Sequence, residues 1–205
     1  MSRLTEEKEI TYAFNVINDF FDHTGLYHAI KDTEHLIRSA ANSKVYKKRI
    51  PGDLLCFKES FEELAAAAFA ISSMHSERDQ AIIEIEEWNQ SPDISILEDF
   101  VLGAPSTDAF EDFPRSLTCM QYFNPYKAIK KFVSHMTELE WKKALKVLVE
   151  YALTNDPVDA EYPSYELMVI RLRMLQLIEA CHLLHVRTNL NKKPEEGKIP
   201  KSKKK

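Results

Sequence analysis

The sequence predicts an all-α protein, an irregular helical bundle of about six to eight helices around a long apolar C-terminal helix, followed by a disordered basic tail. Three features carry this reading. Only four glycines occur in 205 residues, too few for turn-rich β architectures. No proline falls in residues 1–50 or 164–193, so both stretches admit long uninterrupted helices. Apolar residues recur at intervals of three and four along most of the chain, the spacing that lines one helical face.

The first helix is predicted from about Thr5 to Thr24, with Ile10, Ala13, Phe14, Ile17, Phe20 and Phe21 on one stripe and Gly25 as its stop. A second, Leu26 to Asn42, places Ile30, Leu36, Ile37 and Ala40 inward. The short break between them predicts an antiparallel hairpin. A basic connector, Lys44 to Arg49, leads to Pro51-Gly52, after which Asp53 is expected to cap a helix through Phe57, Phe61, Leu64, Ala68 and Ile71. Ser76 with Asp79 starts a further segment towards Trp88, and Ser91-Pro92 opens a short helix that Gly103 closes.

Asn124-Pro125 repeats the cap-and-proline signal ahead of Ile129, Phe132, Val133 and Met136. Thr137-Glu138-Leu139-Glu140 reads as a capping box, in which the two side chains satisfy each other's free amides. Behind it Trp141, Ala144, Leu145, Leu148, Val149 and Ala152 form a helical stripe. The last helix, Ser164 to Leu190, is apolar on nearly every side and is expected to be covered by neighbours all round. The domain reading is therefore 1–190 as one helical unit and 191–205 as a tail.

Composition excludes several function classes. The chain lacks a glycine-rich phosphate cradle and any dinucleotide fingerprint. Its N-terminus lacks the apolar stretch of a secretory signal. The most apolar segment, Leu167 to Val186, carries Arg171, Arg173, Glu179 and two histidines, too many polar groups for a membrane span. Three widely spaced cysteines fit reduced thiols in a cytoplasmic protein rather than a disulfide framework or zinc knuckle.

Charge is distributed unevenly. Lys192, Lys193, Lys198, Lys201, Lys203, Lys204 and Lys205 face only Glu195 and Glu196 in the tail, giving it +5 within a chain of −5 and leaving −10 on the body. A lysine-rich segment of this kind contacts polyanions by counterion release, so the tail is the candidate polyanion-binding element and nucleic acid a candidate partner. No nucleic-acid recognition motif accompanies it. Lys127, Lys130, Lys131, Lys142, Lys143 and Lys146 read instead as a solvated helical face.

Two constellations remain. Glu179, His182 and His185 are spaced by three, so they can share a face, with Arg171 two turns before. This is the alternative reading, an enzyme or a small-ligand or metal-binding bundle. A bundle-core di-iron site would need a second such helix, and only the weaker Asp32-to-His35 pattern exists. No metal and no cofactor is therefore expected. The second is Asp108-Ala109-Phe110-Glu111-Asp112-Phe113, whose Phe110, Glu111, Asp112 and Phe113 suit a partner-facing loop, or a loop that plugs its own core. The favoured function is a non-catalytic helical interaction or regulatory module that binds a protein partner, with a nucleoprotein assembly as the target if the tail takes part.

Overall fold

The computed structural model describes residues 3–42, 46, 50–74 and 114–190. Among them are seven α-helices, one 3-10 turn and no strand: α1 (Arg3–Thr24), α2 (Leu26–Ala40), α3 (Pro51–Met74), α4 (Cys119–Phe123), α5 (Tyr126–Val133), α6 (Glu138–Ala152), η1 (Val158–Ala160) and α7 (Ser164–Leu190). The segments predicted from Ser76 to Gly103, the loop at 108–113 and the tail at 191–205 lie outside the described residues.

Caps set the boundaries. The Thr137 hydroxyl accepts from the Glu140 amide at 3.3 Å, while the Glu140 carboxylate accepts from the Thr137 amide at 2.7 Å, completing the predicted box. A second box, Thr118 with Gln121, starts α4. Asn124 Oδ1 accepts from the Tyr126 amide at 3.1 Å and so opens α5. Pro51 begins α3, which leaves Asp53 in the first turn rather than at the cap. There it still opposes the positive end of the helix dipole.

The expected hairpin of α1 and α2 does not form. α1 lies along α3, whereas α2 lies on α6 and α7, and the two meet little beyond their junction. The physical reason is the single-residue linker. Antiparallel helices need two to five loop residues to step sideways by a helix diameter, and Gly25 alone only redirects the chain. It does so at φ 68°, ψ 154°, a region essentially restricted to glycine.

α1, α2 and α5 lie between α3 on one side and α7 on the other, and α6 closes the bundle over α2 and α3. One core runs through all six of these longer elements. Its tightest part joins α3, α5 and α6, where Phe132 stacks on Trp141 at 4.2 Å between centroids and Phe61 and Phe69 meet Phe132 edge-on. The Trp141 indole N–H donates to the Phe132 carbonyl at 3.4 Å, so its one polar atom is not stranded. Full burial of a phenylalanine ring such as Phe61 or Phe132 contributes about 1.5–3 kcal/mol. Tyr46, buried in the connector, donates its amide to the Ala152 carbonyl at 2.9 Å and ties the connector to the end of α6.

α7 is enclosed from Met174 to Cys181. Its N-terminal half is not, because Tyr165, Met168 and Leu172 are 82%, 56% and 39% exposed. Among the described residues no helix is long and apolar enough to cross a membrane. Cys56 and Cys119 are exposed, Cys181 is buried, and none is disulfide-bonded.

Candidate functional site

Polar groups on an apolar helix must find partners or be expelled, and those of α7 are shared among several neighbouring elements. Glu179, 1% exposed, accepts three consecutive backbone amides: Arg115 at 3.0 Å, Ser116 at 2.7 Å and Leu117 at 3.0 Å. Gln176 adds the complementary bond, donating Nε2 to the Ser116 carbonyl at 3.0 Å. Arg187 donates to the carbonyls of Tyr122 and Phe123 at the end of α4. Together these side chains lash residues 115–123 along one side of α7.

Burial pushes the Glu179 carboxyl above its ordinary range, and the three amides work against that shift. With both oxygens engaged, Glu179 acts as a clamp on the backbone, and it has little remaining capacity for proton transfer or ligation.

The histidines face elsewhere. His182 packs edge-on to Phe21 of α1 at 5.1 Å, and burial, helped by His185, lowers its pKa to about 4. His185 Nδ1 lies 2.9 Å from Asn18 Oδ1, with Asp22 at 3.9 Å from its other nitrogen. Glu179 thus reaches the 115–117 backbone while His182 and His185 reach α1, so the spacing of three does not draw the set onto one ligand. No group of three or more potential metal-binding side chains occurs among the described residues.

Arg171 goes to a fourth neighbour, Glu34 of α2, in a half-buried ion pair. That pair sits in the wall of a groove of about 750 Å³ between α2, α7 and the clamped loop. Ile30, Leu172 and Leu175 give it an apolar floor and rim. Lys31, Arg38, Arg115 and Arg171 supply four cations around it, against Glu34 and Glu179. Lys31 rests over the Tyr27 ring at 5.3 Å.

Of the residues singled out by sequence for chemistry, His35, Arg171 and Glu179 border this groove. Phe110, Glu111, Asp112, Phe113 and the seven tail lysines lie outside the described residues. Lys31, Glu34, Arg38 and Arg115 were not legible as a site. The available signal was the spacing of Lys31, Glu34 and Arg38 at three and four on a helix already read as amphipathic. The helical lysines behave as a solvated face, with Lys142 held by Glu138 at 2.7 Å and Lys146 by Glu150 at 3.7 Å.

No protein-family model, curated protein or solved structure matches the chain.

Proposed function

We propose that this chain is a non-catalytic interaction module, a helical bundle that binds a protein partner through the groove between α2 and α7. The observation that carries the reading is the open face of α7. Tyr165, Met168 and Leu172 repeat at three and four and stay exposed, and the stripe continues into the groove through Leu172 and Leu175. Large apolar side chains aligned on a helix bordered by charge are the usual make-up of a helix- or peptide-docking surface. Further down α7 the clamped 115–117 loop covers the neighbouring face, which supplies an internal precedent for occupation by extended chain.

The lysine-rich tail belongs to this reading as a second, sequence-unspecific contact that would hold the module near a polyanion such as a nucleoprotein assembly. A photo-crosslinking amino acid at Met168 tests the groove. Its adduct with a macromolecule, recovered from the native cell and reproduced with the purified partner, is the expected result. Labelling equal to that of a probe at Glu150, on the exposed side of α6, would remove the groove from the proposal.

A further inference from the structure

The groove's charge balance identifies the chemistry of its partner, an inference that rests on the interaction-module reading above. Of the two carboxylates in its walls, Glu34 is taken by Arg171 and Glu179 by three backbone amides. Lys31 and Arg38 are both exposed on α2, and neither takes part in an ion pair found among the described residues. The overall chain is acidic, at −5, so a groove edge on which Lys31 and Arg38 stand exposed beside the Arg171–Glu34 pair is a local reversal of sign.

Such a reversal steers and selects a partner of the opposite charge. Lys31 and Arg38 are seven residues apart, two helical turns or about 10 Å along the axis, so each can take an acidic group of its own. The apolar floor formed by Ile30, Leu172 and Leu175 sets a second requirement, because a purely ionic ligand would leave it wet.

We infer that the groove between α2 and α7 binds an acidic protein segment that carries at least two carboxylates spaced to meet Lys31 and Arg38, with an aromatic or aliphatic side chain between them seated against Leu172 and Leu175. Lys31 and Arg38 contribute orientation and on-rate, and the apolar anchor contributes residence time. Arg171 is not available to the partner as a free charge, since displacing Glu34 would strand a half-buried carboxylate.

The test uses the full chain and a short fluorescein-labelled peptide in which pairs of glutamates flank a phenylalanine-leucine pair. Binding should weaken by about tenfold or more in Lys31→Glu/Arg38→Glu and by a similar factor in Leu172→Ser, while both variants keep the wild-type melting curve. Raising salt should weaken it further. Affinity unchanged in Lys31→Glu/Arg38→Glu would overturn the inference and assign binding to the tail lysines. A glutamine-for-glutamate peptide that binds equally and still depends on Leu172 would overturn the acidic class while leaving the groove as a docking site. Loss of neither peptide's binding in Leu172→Ser would overturn the groove itself. Displacement of the peptide by a single-stranded oligonucleotide, with the same dependence on Lys31 and Leu172, would overturn the protein-segment assignment.

Discussion

The Glu179 carboxylate accepts the Ser116 backbone amide at 2.7 Å across 63 residues of chain, and the amides of Arg115 and Leu117 complete the contact. This relationship fixes the third wall of the groove. It also explains a charged residue in the enclosed stretch of α7, since a buried carboxylate is tolerated where hydrogen bonds replace its lost water.

Removing the clamp should therefore be expensive. Glu179→Ala leaves three amides without an acceptor beside a cavity, and a loss of about 3–5 kcal/mol is expected. Glu179→Gln keeps one acceptor oxygen and should lose less. Urea unfolding gives the magnitudes, and amide hydrogen exchange at 115–117 should accelerate in both variants before global unfolding. Unchanged protection at those amides would show that the loop is held by other contacts.

Acid should destabilise the protein through His182. Its folded pKa is lowered to about 4 from 6.5 by burial and by His185, so between those values the unfolded chain binds the proton and the folded chain does not. Stability from this group is fully present above pH 6.5 and is lost as pH falls towards 4, by about 3 kcal/mol. Glu179 has the opposite sign. Its raised pKa means that its own contribution declines as pH rises through and above the ordinary carboxylate range. Equilibrium unfolding across pH 4–7 should show a slope that flattens in His182→Gln, and an equal slope in that variant would place the pH dependence elsewhere.

Gly25 and Gly52 should respond to alanine in opposite directions. Gly25 holds a positive φ with ψ near 154°, so Gly25→Ala should cost about 1–3 kcal/mol although nothing crowds the added carbon. Gly52 sits in the first turn of α3, also uncrowded and without a positive φ. Gly52→Ala should stabilise by about 0.4–1 kcal/mol through the unfolded state. Thermal melts of the two variants compare them directly, and equal effects would refute the conformational account of the α1–α2 junction.

How far the fold was legible follows from the range of each interaction. α6 was readable in full because its box, Thr137 to Glu140, and its stripe from Trp141 to Ala152 are local. The enclosed stretch of α7 was readable from its continuous apolar content. The α1–α2 hairpin was misjudged because helical periodicity reports which face is apolar and is silent on the direction in which the chain leaves Gly25. The groove was hidden for a different reason. Glu34 and Arg171 are 137 residues apart, and neither Lys31 nor Arg38 stands in a run of like charge. Glu179, His182 and His185 drew attention as a set because their spacing is local, yet their partners lie on separate elements.

The contrast between two α7 residues tests the division of that helix into core and docking face. Leu175 is 3% exposed and forms part of the groove's floor, so Leu175→Ala should cost about 2–5 kcal/mol, as truncation in a packed core does. Met168, two turns towards the N-terminus on the same stripe and 56% exposed, touches less of the bundle, and Met168→Ala should change stability by no more than about 0.5 kcal/mol. The same pair should separate again in binding. Met168→Ala should weaken the acidic peptide without moving the urea midpoint, because a surface anchor matters only when a partner covers it. If both variants were equally destabilised, the N-terminal half of α7 would be core in the working protein, covered by some other part of the chain. If Leu175→Ala cost less than about 0.5 kcal/mol, the whole of α7 up to Leu175 would have to be reassigned as an interface.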